Sequence, residues 1–179
     1  MPEQPSSATS FQELALPLFD QLYNFAHWLT QDRSEADDLV QETYTKALHG
    51  FEGFQIGTNF KAWIFRILRN TFLTSRTGLN SYGSGEEELD TFASVDPSPE
   101  DLLILEVERD AVRQALAELP VASREILLLC EVEEMKYEEI AQVLQIPIGT
   151  VMSRLYRARQ ALRNRLSEKF KRKTAWPVS

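Results

Sequence analysis

Residues 137–159 read YEEIAQVLQIPIGTVMSRLYRAR, and the pattern of this stretch predicts two helices joined by a tight turn. Ile140, Val143 and Leu144 have the spacing of a short amphipathic helix. Pro147 interrupts that pattern, because a residue without a backbone N–H suits a turn or a helix start better than a helix interior. Val151 then begins a second apolar stripe. This arrangement is typical of a helix-turn-helix, which lays its second helix in the major groove of DNA.

The polar side of the second helix carries the side chains expected to read DNA. Hydroxyl groups can reach bases or phosphates, and arginine can fork onto the O6 and N7 atoms of guanine. An ordinary antiparallel helix pair with a solvated basic face explains the local pattern equally well. The candidate contacts are Thr150, Ser153, Arg154 and Arg157.

The distribution of charge favours the DNA-binding alternative. Residues 154–173 contain nine basic residues and one acid, Glu168, whereas the whole chain has a net charge of −8. A basic terminal helix on an acidic body indicates a polyanionic partner at one end of the protein.

Length and composition limit the other function classes. A chain of 179 residues allows one domain or two small ones. We find neither an apolar run of about 18 residues nor a signal-peptide pattern, so we expect a cytoplasmic protein without a membrane span. The single Cys130 lies in an apolar run and is expected to be a buried structural thiol. His27 and His49 have no partners at metal-ligand spacing, so we expect no metal and no cofactor.

A first helical domain is predicted over residues 10–78. Ser10 is the expected N-cap of its first helix, and Pro17 is expected to kink or divide that helix. Ser34 is the expected cap of a helix over residues 35–49. The inner face of that helix is predicted to comprise Ala36, Leu39, Val40, Thr43, Tyr44, Ala47 and Leu48, with Gly50 as its stop.

The outer face of the helix at residues 35–49 is acidic, with Asp37, Asp38, Gln41 and Glu42 expected to be exposed. Solubility and the match of early acids to the positive end of the helix dipole are one explanation. The other is an acidic docking face for a basic protein partner.

A glycine-containing loop over residues 51–60 carries three phenylalanines. Phe51, Phe54 and Phe60 either fold back onto the core, as we expect of at least one, or stack on unpaired bases. Shortly before the next helix, Thr58 or Asn59 is its expected cap.

The helix after this loop, which is predicted to run to about residue 76, has a basic face. Lys61, Arg66 and Arg69 are followed by Asn70, whose amide can hydrogen-bond a base or a phosphate. We therefore predict a second nucleic-acid surface here.

Residues 79–98 contain five acids and two glycines but no lysine or arginine, so we predict a flexible acidic linker. A second domain follows over residues 99–173, with a helix begun at Pro99, a helix opened by Pro120 with Val132 on its inner side, and then the helix-turn-helix. The predicted fold class is all-α, with two small helical domains joined by that linker.

Two groups of motifs resemble those of bacterial extracytoplasmic-function sigma factors, in the same order. The segments DRSEADDLVQETYTKAL and TNFKAWIFRILRNTF resemble sigma region 2. The segment ALAELPVASREILLLCEVEEMKYEEIAQVLQIPIGTVMSRLYRARQAL resembles sigma region 4. The resemblance spans residues 11–171, and one departure is Met152, where many relatives have lysine.

The resemblance implies a role for each surface. It implies docking on core RNA polymerase, through the β′ clamp helices, by Asp37, Asp38, Leu39, Gln41 and Glu42. It implies recognition and melting of the promoter −10 element by Phe51, Phe54, Thr58, Asn59, Phe60, Lys61, Trp63, Arg66, Arg69 and Asn70. It implies recognition of the −35 element by Thr150, Ser153, Arg154, Arg157 and Arg159.

The function implied is that of a stress-responsive RNA polymerase sigma factor, which is not an enzyme. Its implied partners are core polymerase, including the β subunit, promoter DNA and an anti-sigma protein, and the free chain is expected to be a monomer. The segment GTNFKAWIFRILRNTF looks closest to the subgroup controlled by zinc-containing anti-sigma proteins. The alternative is a stand-alone helix-turn-helix regulator, which would have to dimerise to read a palindrome.

Overall fold

The computed structural model describes residues 7–77 and 99–174, with side chains over residues 11–77 and 108–171. Both ranges are helical and neither contains a strand, which confirms the all-α prediction. The predicted linker at residues 79–98 lies outside the described residues. No helix within the described ranges is long and apolar enough to cross a membrane. The helices are α1 (Ser7–Ala15), α2 (Phe19–Thr30), α3 (Arg33–Gly50), α4 (Phe60–Thr77), α5 (Pro99–Ala117), α6 (Val121–Leu127), α7 (Tyr137–Leu144) and α8 (Ile148–Thr174).

Pro17 divides the first helical segment, as the sequence predicts. A 3-10 turn over Leu16–Leu18 separates α1 from α2, because proline has no N–H to donate to the helical ladder. The prediction that Ser10 caps the first helix is wrong, since α1 already begins at Ser7.

Asp32, rather than the predicted Ser34, caps the N-terminus of α3. The Asp32 Oδ1 atom accepts a hydrogen bond from the backbone N–H of Glu35 at 2.8 Å. Aspartate caps as well as serine does, and its charge also favours the positive end of the helix dipole. The helix therefore begins at Arg33 and ends, as predicted, at Gly50.

The described residues form two halves, residues 7–77 and residues 99–174. Helices α2, α3 and α4 form the core of the first half. Leu22 and Phe25 of α2 and Ile64, Phe65 and Leu68 of α4 are fully buried. Burying one side chain of this size stabilises the fold by about 1.5–3 kcal/mol. This core fixes the outward faces of α3 and α4, on which the candidate sites lie.

Two apolar side chains predicted to face inward are exposed instead. Leu48 is 53% exposed, because Ala47 holds the buried position in the last turn of α3 and the next residue lies about 100° further around the helix. Val132 is 59% exposed. It lies in a π-helical turn, Leu128–Val132, whose wider turn breaks the 3.6-residue stripe used for the prediction.

The helix-turn-helix forms where the sequence predicts it. Ile140 and Val143 of α7 pack with Val151 and Leu155 of α8, and all four are buried. Gln145 ends α7 in a left-handed conformation with φ 55°, which turns the chain toward Pro147 and α8.

Arg124 is a buried arginine that closes the C-terminal end of α5. Its guanidinium donates hydrogen bonds to the backbone carbonyls of Leu116, Ala117 and Leu119 at 2.6–3.0 Å. It also donates to the carbonyl of Trp28, in α2, at 2.8 Å. Burial lowers the pKa of Arg124. The four carbonyl oxygens accept hydrogen bonds from the guanidinium, which would otherwise be a buried cation without partners.

The two halves of the described chain pack against each other. Helix α4 contacts α7, and α2 contacts α6, so that the buried residues of both halves form one continuous cluster. The helix-turn-helix therefore lies directly beside the basic face of α4.

Candidate nucleic-acid interface

Four of the side chains predicted to read DNA share the outward face of α8. Ser153 and Arg157 are exposed and Thr150 and Arg154 are half-buried, on one side of the helix next to the buried stripe of Val151 and Leu155. Ser153 Oγ donates to the Thr150 carbonyl at 3.1 Å, and Arg157 Nε donates to the Ser153 carbonyl at 3.3 Å. The four side chains present hydroxyl and guanidinium donors from one helix face, as recognition in a major groove requires.

Arg159 lies apart from this group on α8, and its contact with the −35 element stays a prediction. Its guanidinium forms an ion pair with Glu131 at 2.6 Å, and a second hydrogen bond joins Arg159 Nε to the same carboxylate at 2.9 Å. Arg159 Nη2 also contacts the Cys130 sulfur at 3.5 Å. Arg159 thus ties α8 to the turn that follows α6.

Cys130 is half-buried beside this ion pair, and burial raises the pKa of its thiol. A raised pKa disfavours the thiolate that nucleophilic and redox chemistry would need. The thiol is thus only partly buried, whereas the sequence predicted a buried one.

The three phenylalanines of the loop at residues 51–60 belong to the core. Phe51, Phe54 and Phe60 are 7–9% exposed, which confirms the core alternative for all three. Their rings pack with Trp63, whose ring centroid lies 4.9 Å from that of Phe54. Since these rings are enclosed, they support the loop from inside, whereas the expected base-stacking role required open faces.

A cavity of about 250 Å³ opens beside this aromatic cluster. Trp63 forms one wall, and polar groups of the loop and of α4 form the others. An aromatic wall with polar groups around it has the chemistry that captures an unpaired base. The lining includes five of the side chains predicted to contact the −10 element, which are Phe54, Thr58, Asn59, Trp63 and Arg66.

Asn59 and Thr58 shape the rim of this cavity and begin the helix behind it. Asn59 Oδ1 accepts from the Ala62 N–H at 3.0 Å, which confirms Asn59 as the cap of α4. Thr58 Oγ1 donates to the Gln55 carbonyl at 2.7 Å.

Several of the basic side chains predicted to hold DNA form ion pairs with acids of the second half. Arg69 forms a two-pronged ion pair with Glu125 at 2.9 and 3.2 Å. Lys61 forms an ion pair with Glu133 at 3.1 Å and donates to the carbonyl of the same residue at 3.0 Å. Burial raises the pKa of Glu133, and the ammonium of Lys61 opposes this shift. Sequence reasoning missed these pairs, although residues 125–139, before and at the start of the helix-turn-helix, are rich in glutamate.

Arg66 and Asn70 remain directed away from these ion pairs. Arg66 lines the cavity, and Asn70 is exposed on α4. The structure therefore brings Trp63, Arg66 and Asn59 together at one opening, while Lys61 and Arg69 face the second half.

The acidic face of α3 is exposed, as predicted. Asp37 and Asp38 are open to solvent, and Glu42 forms an ion pair with Lys46 at 2.7 Å. Leu39 is an exception among the expected docking residues, since it is only 6% exposed and packs in the core. The available surface consists of the polar side chains.

Comparison with known proteins assigns these two helical halves to a class. The family model "Sigma-70 region 2" matches residues 17–80, and "Sigma-70, region 4" matches residues 109–162. The fold and its surfaces thus define a two-domain protein of the sigma-70 type.

Individual relatives narrow the class. The chain is 34% identical over 161 residues to the ECF RNA polymerase sigma factor SigE of Mycolicibacterium smegmatis, covering 89% of this chain and 62% of that protein. It is 34% identical over 153 residues to the ECF RNA polymerase sigma factor EcfG of Rhodopseudomonas palustris, covering 86% of this chain and 83% of that protein. The chain belongs to the extracytoplasmic-function (ECF) sigma factors.

Solved structures agree with this assignment. The sigma factor RpoE of Bartonella quintana, in complex with the anti-sigma factor NepR, superimposes with a TM-score of 0.72 at 29% identity. That match covers 89% of this chain and 98% of the other. Family membership favours a sigma factor over the stand-alone regulator considered above.

Proposed function

We propose that this chain directs core RNA polymerase to promoters by reading the −35 element with α8 and by opening the −10 element with the cavity beside α4. The observation that carries the proposal is the outward face of α8. Thr150, Ser153, Arg154 and Arg157 present donors from one face of the helix that follows the turn, within the segment matched by region 4. The protein acts by binding rather than by catalysis, in the cytoplasm where polymerase and chromosome meet.

In this proposal a base displaced from the −10 element enters the cavity beside Trp63. Unstacking a base costs a few kcal/mol, and stacking on an aromatic ring returns about 1–3 kcal/mol. Arg66 adds a positive charge at the opening, where a strand backbone would pass. The captured base thus holds the duplex open.

The docking site for polymerase is the acidic face of α3, against the basic side chains of the β′ clamp helices. Residues 10–78 form the docking and melting unit, residues 79–98 the linker, and residues 99–173 the unit that reads the upstream element.

A net charge of −8 disfavours DNA binding by the free chain, because affinity for DNA rests on neutralising phosphates. Polymerase therefore supplies the affinity and this chain the specificity.

Run-off transcription tests the proposal most simply. Core polymerase with the purified chain and genomic DNA should start transcripts at a restricted set of sites. Permanganate should detect unpaired thymines just upstream of those starts. Random starts, equal to those of core polymerase alone, would overturn the proposal.

Reversing two charges on α3 should weaken docking. We expect Asp38→Lys with Glu42→Lys to lower the affinity for core polymerase about tenfold, since like charges then face each other in an otherwise complementary interface. Both side chains are exposed, so the melting temperature should change by no more than a few degrees. Fluorescence anisotropy of the labelled chain with core polymerase measures the affinity.

The matched control places the same charge change elsewhere, as Glu108→Lys with Glu138→Lys, two exposed acids of the second half. Equal losses of affinity in the two doubly reversed variants would show that only net charge matters and that α3 is not the docking face.

An anti-sigma protein of the zinc-containing group is the proposed regulator. The support is the resemblance of GTNFKAWIFRILRNTF to that subgroup, together with the anti-sigma complex of the RpoE relative. Affinity purification from unstressed cells should recover a small partner that carries about one zinc ion per chain. Recovery of polymerase subunits alone, or of a partner free of zinc, would contradict this proposal.

A further inference from the structure

Three polar contacts join the proposed −10 surface to the helix-turn-helix half. Besides the pairs of Arg69 with Glu125 and of Lys61 with Glu133, Asn59 Nδ2 donates to Glu139 Oε1 at 2.5 Å. All three donors were predicted from the sequence to contact promoter DNA, and all three acceptors are carboxylates of the other half.

These carboxylates accept hydrogen bonds from the same donors that the phosphate or base oxygens of DNA would need. The Arg69–Glu125 pair is shielded from water, with the two side chains only 13% and 3% exposed. Arg69 Nη1 also donates to the carbonyl of Leu144, at the end of α7, at 3.4 Å. A guanidinium held by a carboxylate and a carbonyl has few donors left for a DNA backbone.

Helix α7 borders the cavity on the same side. Its lining includes Gln142 of α7, so the helix-turn-helix half forms part of the wall of the proposed base pocket. A strand that follows Asn59, Lys61 and Arg69 would therefore pass through space that α7 fills. The block is both electrostatic and steric.

We propose that this arrangement is an autoinhibited state, in which Glu125, Glu133 and Glu139 stand in for the DNA backbone and keep the −10 surface covered until the halves separate. The inference rests on the proposed function of that surface. It explains how a sigma subunit that is not bound to any partner avoids non-specific binding to single-stranded DNA, because acids of its own second half cover the surface.

Polar contacts and the shared apolar cluster together hold the closed state. Exposed ion pairs contribute little to stability, whereas removing one partner of a partly buried pair is costly, because the other charge is then left unpaired. Arg124 adds one further link, its hydrogen bond to the Trp28 carbonyl. A binding partner that has a higher affinity for the separated halves than for the closed state would open the protein.

A zero-length carbodiimide cross-link tests the closed state without DNA. The reagent joins an amine to a carboxylate in contact, so the free full-length chain should yield an isopeptide between Lys61 and Glu133, identified by peptide mass spectrometry. Its yield should fall in the double variant Glu125→Gln with Glu139→Gln. Absence of this cross-link from the free chain would overturn the proposal.

Binding of single-stranded DNA tests the consequence. We expect the Glu125→Gln, Glu139→Gln protein to bind a fluorescent single-stranded oligonucleotide about tenfold more tightly than the unaltered chain, because a neutral amide accepts hydrogen bonds more weakly than a carboxylate and so weakens both contacts. Glu139→Gln alone, which weakens the more exposed contact, should give a smaller gain and guards against misfolding of the double variant. The control Glu108→Gln with Glu138→Gln makes the same change of net charge at exposed acids and should gain less than about twofold.

The outcomes separate this inference from the proposed function. Equal gains in the double variant and its control would overturn autoinhibition, since charge alone would then explain the effect. Loss of the cross-link without any gain in strand binding would also overturn it. Neither outcome affects the proposed function if the polymerase complex still starts transcripts at restricted sites.

Discussion

Replacing Arg154 and Arg157 together by alanine should lower initiation from a cognate promoter about 100-fold, since a bidentate contact of arginine with a base is worth about 1–3 kcal/mol. Arg157 is exposed and Arg154 is half-buried on the outward face of α8, and neither belongs to the buried stripe of Val151 and Leu155. Their removal therefore leaves the core of the helix-turn-helix intact. Run-off transcription from one promoter, compared with binding to core polymerase by anisotropy, measures the two effects separately.

Arg163→Ala is the matched control, because Arg163 is an exposed arginine further along the same helix. It should leave initiation within about twofold of the unaltered chain, as expected of a surface substitution away from the contact. If the Arg154, Arg157 double variant initiates as well as this control, α8 does not read the upstream element.

Replacing Phe54 by alanine should destabilise the folded protein by about 3–5 kcal/mol, because it leaves a cavity in an enclosed aromatic cluster. Phe54 contacts Phe51, Phe60 and Trp63, with ring centroids 4.9–5.9 Å apart. We expect the melting temperature to fall by about 10 °C or more, measured by circular dichroism.

Ile56→Ala is the control in the same loop, since Ile56 is 73% exposed. It should shift the melting temperature by no more than about 2 °C. A Phe54→Ala protein with normal stability and a specific defect in permanganate reactivity would instead restore the base-stacking role of Phe54.

The helix-turn-helix and its reading face could be predicted because local signals and tertiary contacts agree there. The apolar spacing of Ile140 and Val143, the break at Pro147 and the stripe continued by Val151 all depend on neighbours within one or two helical turns. The division at Pro17 and the cap at Asn59 followed from equally local chemistry. Such features need no knowledge of what packs against them.

The structure differs from the predictions where contacts between residues far apart in the sequence determine the local structure. Burial of all three loop phenylalanines depends on the enclosed cluster that they form with Phe11 and Trp63, which no local pattern shows. The choice of Asp32 over Ser34 as cap depends on where α2 ends. The π-helical turn that exposes Val132 has no periodic signature in a short apolar run.

The candidate site on α4 shows the same limit most clearly. Lys61 and Arg69 form a basic stripe in the sequence, and a basic stripe suggests an open polyanion surface. Their carboxylate partners lie 72 and 56 residues further along the chain. Only the placement of the two halves reveals that these cations are neutralised within the protein.

Hydroxyl-radical footprinting of the polymerase complex on a mapped promoter tests the central claim that the two halves read separate promoter elements. With the unaltered chain, we expect protection around both the −35 and the −10 elements. With Arg154→Ala and Arg157→Ala, the upstream protection should disappear while residual complexes keep the downstream one. A uniform loss of both protections, or protection unaffected by the double substitution, would contradict the claim that each half reads its own promoter element.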